Sequence, residues 1–546
     1  MKSHASSPSV LLIALLSLLL AQVASAGSAT WNLSPASGNW NTASNWTPAT
    51  VPNGPSDTAT FATSNKATIS LSATTEVDSI VFAPDASAFT IHSASSYLPL
   101  NVSGVGVINN SAITQNFVVG KLGYLYFLGT ATAGSGIIYT LTGDFGSSAI
   151  GFEGSSSAGD STFIDLIDYI VFTDAATAAN ATFIIEGATS AHTGNGLVEF
   201  YTGTTAGNAT FIINGGSADS AYSGELGFSG AKGGNSTITV NGGTAPNAIG
   251  GYLQFNTLSD AENATLIVNG GTNGGLPGTL FFIDTGRGGK ARVEVFDTGE
   301  LDMSYRPGGA VLVVGSIEGN GIVFLGGSEL SVGSSHRSTI FSGRIKDGGI
   351  AGGRGGALSK RGSGKLSLVG ANTYTGGTTV EGGALFVRNT TGSATGPGAV
   401  QINRGTLGGT GTISGAVTLG TTEGRPTLLA PGSSQSLGTL TIQKALTFNA
   451  GATYDFALNS SRSAADQVIA NGVTIASGAV FSPIDNGTAI LSPGTAFTPI
   501  LNGAVTPISG IFSNLPDGAT VTIGSNTFQV DYEGGDGNDL TLTVVP

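Results

Sequence analysis

The chain has 546 residues, with 86 glycines, no cysteine, 40% hydrophobic residues and only 10% charged ones. Glycine without a three-residue period excludes collagen, and so large an apolar share, arriving in alternating runs, excludes plain disorder. The formal net charge of −14 comes with only 20 Lys and Arg, which form no basic stripe beyond Lys360-Arg361, so a nucleic-acid partner is disfavoured. A long all-β solenoid fits these facts: its narrow core takes Val, Ile, Leu and Phe, and its many corners take Gly and Asn. Such a core needs no disulfide staples.

Residues 1–26 read as a signal peptide. Lys2 and His4 give a weakly basic start, Val10 to Leu20 an apolar run, and Ala24-Ser25-Ala26 a small-residue cleavage pattern. The apolar run falls short of the roughly 20 residues that span a bilayer, so no transmembrane helix is expected in the mature chain. Residues 27–66 hold all three tryptophans, Trp31, Trp40 and Trp46, among prolines 48, 52 and 55. They have two readings: a cap over the open end of the first coil, or an aromatic platform that binds sugar. The cap is preferred because terminal repeats have to be covered.

Residues 67–307 form a repeating region. Asn180, Asn208, Asn235 and Asn263 each open an Asn-x-Ser/Thr run at spacings of 28, 27 and 28, while Phe172, Phe200, Phe228, Phe255 and Phe282 recur at 28, 28, 27 and 27. Two unrelated markers holding one period indicate a structural repeat. The expected fold is a right-handed parallel β-helix, a single elongated repeat domain with terminal caps. Its coils rise about 4.8 Å each, with Phe stacked inside and Asn laddered at a corner. The Asn-x-Ser/Thr pattern also spells a glycosylation acceptor, read here as incidental to corner chemistry. Within this region Asp160, Asp165, Asp168 and Asp174, with Glu153 upstream, are the densest acids. Glycan-cleaving β-helices would need paired carboxylates with cationic partners, and no Lys, Arg or His lies between Lys121 and Glu186.

In residues 308–482 the repeat changes. Lys365 to Val369 and Thr378 to Val387 are expected as strands joined by a tight corner at Asn372 to Gly377. Gly362, Gly364, Leu366, Leu368, Gly370, Ala371, Asn372, Thr373, Tyr374, Gly376, Gly377, Thr378, Thr379, Gly382, Gly383 and Leu385 carry a close resemblance to a known family. It is the autotransporter-associated β-strand repeat, also called the passenger-associated transport repeat. The resemblance implies an exported, glycine-rich β-helical passenger region, defined by architecture and without a catalytic signature. Full autotransporters end in a translocator barrel. The stretch after the last family-like run is too short for one at roughly ten residues per strand plus turns, so the resemblance implies separate secretion machinery.

Residues 483–546 are expected to form a closing cap, with strands near Thr520 to Thr522, Thr527 to Tyr532 and Leu540 to Val545. Gly534 to Leu542 fits one copy of a calcium-binding nonapeptide, which would make Asp536 and Asp539 ligands. Calcium takes six to eight oxygens, normally from successive copies, so a glycine-rich hairpin turn is the simpler reading. No nucleophile-elbow, zinc-protease, Cys-pair or phosphate-loop pattern appears. The sequence is therefore read as a non-catalytic structural or adhesive protein without a cofactor, secreted or held at the cell surface in association with the outer membrane. Its expected partners are surface or extracellular glycans and matrix. The alternative is a polysaccharide-binding or glycan-active β-helix, using the tryptophans or the acids.

Overall fold

Short β-branched runs with alternating apolar residues can bury one edge of every strand only if the next coil lies directly on top. The computed structural model shows that arrangement. It describes residues 27–93, 97–143, 146–191, 193–421, 425–432 and 436–546; the leader, residues 1–26, lies outside them. Strands dominate, and the helical elements among the described residues are the 3-10 turns Ala43–Asn45 and Ser460–Arg462. No described helix is long and apolar enough to cross a membrane. The chain divides into two compact units, Met1–Thr182 and Phe183–Pro546, a boundary distinct from the change of repeat at residue 308.

In the first unit each coil gives one strand to each of two sheets. The first sheet contains Gly54–Phe61, Thr75–Phe82, Pro99–Asn109, Tyr124–Phe127, Ala149–Phe152 and Tyr169–Phe172; the second contains Thr68–Ser70, Thr90–Ser93, Gln115–Val119, Ser135–Leu141 and Asp160–Asp165. Pairing is parallel and in register, with Phe127 opposite Phe152 and Phe152 opposite Phe172. Their rings stack at 4.9 and 4.5 Å with interplanar angles of 9° and 4°. A second column, Phe117, Tyr139 and Phe163, stacks at 5.0 and 4.8 Å from the other sheet.

In the second unit the same scheme repeats with greater regularity. Leu197–Phe200, Glu225–Phe228, Tyr252–Phe255 and Thr279–Phe282 pair in parallel in the first sheet. Thr210–Ile213, Thr237–Val240, Thr265–Val268 and Arg292–Val295 do so in the second. Phe200, Phe228, Phe255 and Phe282 are fully buried and stack at 4.9, 4.7 and 5.3 Å. At the corner preceding the second sheet, Asn235 Nδ2 donates to Asn208 Oδ1 and Asn263 Nδ2 to Asn235 Oδ1, both at 3.1 Å. In the first unit, Asn180 Nδ2 donates to Asp160 Oδ1 at 2.8 Å instead.

From Val311–Val314 onward a third parallel sheet joins, running through Glu329–Val332, Ala357–Lys360, Thr378–Val380, Val400–Ile402, Val417–Leu419, Leu446–Phe448 and Val473–Ile475. A fourth begins at Thr412–Ile413 and continues to Ala496–Asn502. There the parallel stacking stops. Ala496–Asn502 pairs antiparallel with Asp539–Val544, which pairs with Asn526–Gly534 and that with Thr520–Ile523. This meander covers the parallel edge of the fourth sheet, which would otherwise template pairing with other chains.

Phe228 sits between two stacked neighbours at no solvent exposure. Phe228→Ala is expected to lower the unfolding free energy by about 3–5 kcal/mol, read from a urea titration against the unchanged chain.

Candidate functional site

The structure overturns the tryptophan platform. Trp31, Trp40 and Trp46 are at most 1% exposed and surround Phe61, with Trp31–Trp46 centroids 4.9 Å apart and Trp40–Trp46 5.1 Å. Each indole N–H is spent on a backbone carbonyl: Trp31 on Lys66, Trp40 on Pro52 and Trp46 on Trp40. No ring face is left for a sugar, because an apolar end coil gains more from being covered than indoles gain in water.

Several acids of the first unit are likewise spent on structure. Asp168 is buried and accepts from the Ser148 hydroxyl and from the Ser147 and Ser148 amides; Asp165 accepts from the Asp168 amide. Asp174 accepts from the Gly154 amide at 2.9 Å. Asp536 and Asp539 flank a hairpin turn in which Gly534 pairs with Asp539. Asp536 is exposed, whereas Asp539 is buried and accepts the Asn502 amide at 2.8 Å. Among the described residues no three His, Cys, Asp or Glu side chains group closely enough to hold a metal ion.

The stretch around residue 372 is a structural clamp. Leu366 and Leu368 are buried and lie in register with Leu385 and Val387. The expected strand from Thr378 to Val387 is in fact two, Thr378–Val380 and Ala384–Val387, which join different sheets. Gly383, with φ of +67°, turns the chain between them. Nor is Asn372 to Gly377 a tight corner. It is part of a longer segment that drops Tyr374 into the core, where its hydroxyl meets Thr378 Oγ1 at 2.5 Å. Asn372, also buried, accepts the Ile345 amide at 2.7 Å and donates to the Ala394 carbonyl at 2.6 Å, tying its own coil to those on either side. Gly377, at φ +93°, permits the return into Thr378. A Cβ on Gly364 or Gly376 would fall 2.1 or 2.3 Å from a carbonyl oxygen of the coil below.

Lys360 lies in the same stretch at 1% exposure, and its ammonium donates to the carbonyls of Arg361, Gly362 and Gly382. With no carboxylate beside it, burial pushes its pKa down to about 8.

An aromatic and acidic row lies elsewhere, on the outward side of the first sheet in the second unit; Phe281 and Asp302 within it are buried, at 3% and 0% exposure. Alternation sends Leu197, Glu225, Tyr252, Thr279 and Glu300 outward in one column, and Glu199, Gly227, Gln254, Phe281 and Asp302 in the next. Tyr252 packs on Phe281 at 4.8 Å, and Phe281 on Tyr305 at 6.1 Å. Tyr305 and Tyr201 are 44% and 42% exposed. Gly227 leaves a notch of about 130 Å³ between Glu199 and Gln254, beside Tyr201 and Asn256.

Burial raises the Glu225 carboxyl pKa above its ordinary value; the Asn195 amide opposes this and Glu199 adds to it. Burial and then Asp302 raise that of Glu300, against the pull of Lys346. Tyr252 is pushed up to about 12 by burial and by Glu225, Tyr305 and Asp302.

Tyr201, Tyr305 and the half-buried Tyr252 offer ring faces for apolar sugar faces, and Glu225, Gln254 and Glu300 offer oxygens for hydroxyls. Paired-carboxylate hydrolysis fits the row poorly. Glu199 is held by the Tyr201 hydroxyl, and Asp302 by the Ser304 and Ile350 amides. Glu225 and Glu300 are three coil steps apart in register, roughly 14 Å, against the ~5–9.5 Å that glycosidases use.

Comparisons with known proteins agree with the clamp stretch. The passenger-associated-transport-repeat family matches residues 358–386. The adhesin BmaC autotransporter of Brucella suis biovar 1 (strain 1330) is 34% identical over 113 residues, which is 20% of this chain and 3% of that protein. The chain thus matches a small fraction of that relative's length. The crystal structure of the Haemophilus influenzae Hap adhesin aligns with 90% of this chain and 63% of its own, at 11% identity and a TM-score of 0.27, too low to carry an argument.

Asn372→Ala would strand the Ile345 amide and the Ala394 carbonyl, and is expected to cost about 1–3 kcal/mol per orphaned group in denaturant titrations. Lys360 gives a pH signature. Between about pH 8 and the ordinary lysine value of 10.5 the unfolded chain binds the proton that the folded chain has released, so stability rises with pH there. The melting temperature should climb from pH 7.5 to 9.5 in the natural chain and stay flat in Lys360→Met.

Proposed function

We propose that this chain, a carrier of the passenger-associated transport repeat, is an exported, non-catalytic β-solenoid that works by adhesion to extracellular glycans or matrix. The observation that carries this reading is the set of outward rings Tyr201, Tyr252 and Tyr305, the last two packed on buried Phe281, with Glu225 and Glu300 beside them on a parallel ladder. Rigid backing lets such side chains meet a ligand without first being ordered, which is where binding otherwise loses free energy. The match to a bacterial autotransporter named as an adhesin supports the adhesive part. The wide separation of the two remaining carboxylates supports the non-catalytic part. The leader pattern of residues 1–26 supports export to the cell surface or medium.

Tyr201→Ser/Tyr305→Ser removes two exposed rings without touching the core. Binding of the purified protein to cultured cells and to immobilised matrix glycans should fall at least tenfold, with the unfolding midpoint unchanged. The reading fails if the natural chain binds none of these surfaces, or if the variant binds as well as it does.

A further inference from the structure

A second surface of the later unit has a different chemistry. Where each second-sheet strand ends, the chain runs Asn-Gly-Gly-Ser/Thr: Asn214 to Ser217, Asn241 to Thr244 and Asn269 to Thr272. Three coils therefore stack an amide over an amide, a glycine over a glycine and a hydroxyl over a hydroxyl. Asn214 Nδ2 donates to Glu186 Oε2 at 3.0 Å, Asn241 Nδ2 to Asn214 Oδ1 at 2.8 Å, and Asn269 Nδ2 to Asn241 Oδ1 at 2.9 Å.

Beyond the glycines the chain projects as loops that brace one another. Asn247 Nδ2 bonds Asp219 at 3.1 Å, Gly216 N–H reaches the Ile249 carbonyl at 2.8 Å and Gly243 N–H the Leu276 carbonyl at 2.8 Å. Between the amide row and the hydroxyl row lies a trench of about 530 Å³, with Glu186 and Asp297 among its lining residues. That volume is in the range of small-ligand sites. Its floor cannot be filled by substitution, since a Cβ on Gly215 would fall 2.5 Å from the Gly242 carbonyl carbon.

We propose that this trench is a binding site for a neutral, linear oligosaccharide lying along the coil axis. Each ladder bond uses one N–H and one lone pair of an asparagine that has two of each, leaving a donor and an acceptor per coil for a ligand. The exposed Ser217, Thr244 and Thr272 add hydroxyls opposite. A polyhydroxylated chain answers both rows with groups that donate and accept, and a polymer can repeat its contacts at the coil rise of about 4.8 Å.

An extended peptide is a poorer match. The trench amides Asn241, Thr244, Asn269 and Thr272 already donate to the coil before, at 2.8, 3.0, 2.8 and 2.9 Å, so these four are not free to pair with an added strand. Anionic polymers are disfavoured because the lining contains two carboxylates and no Lys or Arg. No aromatic residue lines the trench, so it is chemically separate from the tyrosine row, and the proposal holds whether or not the chain attaches cells.

The test is calorimetric titration of the full chain with three linear hexasaccharides: β-1,4-glucose, β-1,3-glucose and, as the anionic comparator, α-1,4-galacturonate. Thr244→Tyr, at an exposed position, fills the trench without entering the core; Asn241→Leu breaks the amide row. At least one neutral hexasaccharide should bind the natural chain, with at least tenfold weaker binding to each variant and an unchanged unfolding midpoint for Thr244→Tyr. Tyr201→Ser/Tyr305→Ser should bind it as the natural chain does. The proposal is overturned if neither neutral sugar binds, if galacturonate binds as tightly, if Thr244→Tyr has no effect, or if only the tyrosine variant loses binding.

Discussion

Parallel register is the constraint on which everything else rests. A strand paired in register with the strand of the next coil places each side chain over its counterpart, so one choice of residue is repeated as a column. Phe200 to Phe282 show what this does inside, where rings meet nearly face to face at less than 5.5 Å. The same rule outside produces rows of amides, hydroxyls and rings. A slip of one residue would turn every phenylalanine outward, so the buried column fixes the register with which the surface is read.

This separates scaffold from surface. Inward positions are held by packing, and corners by close backbone approach, as at Gly364 and Gly376. Outward positions on the sheets carry few structural demands. The first sheet uses that freedom for tyrosines and carboxylates in the second unit, and the corner after the second sheet uses it for an unbroken polar trench. Neither feature depends on catalytic geometry. Both depend on spacing and rigidity, which a ladder of coils provides without further parts.

How much was legible in the sequence follows from the same distinction. The phenylalanine and Asn-x-Ser/Thr columns keep a strict period because the fold demands them, and they were readable at once. The clamp at Asn372 was recognisable as a motif, but its role was not: nothing in the order of residues shows that one buried amide reaches Ile345 on one side and Ala394 on the other. The run from Thr378 to Val387 looked like one strand because alternation persists through Glu381 to Gly383, although the turn there passes it to another sheet. The tyrosine row was missed for a physical reason. Tyr201, Tyr252, Phe281 and Tyr305 occupy different positions in successive coils, so they have no period to detect. The Asn-Gly-Gly-Ser/Thr column did have one, at Asn214, Asn241 and Asn269, and could have been found beside the first. The tryptophans were conspicuous, but a bulky ring fits both a lid and a platform, and only burial tells them apart.

The bonds of the two asparagine columns share a direction. Asn263 donates back to Asn235 and Asn235 to Asn208; Asn269 donates to Asn241, Asn241 to Asn214, and Asn214 to Glu186. In each case the later coil brings the hydrogen and the earlier one offers the oxygen. A stack begun at its amino-terminal side therefore exposes a growing front of waiting acceptors, and every arriving coil finds its docking point already in place.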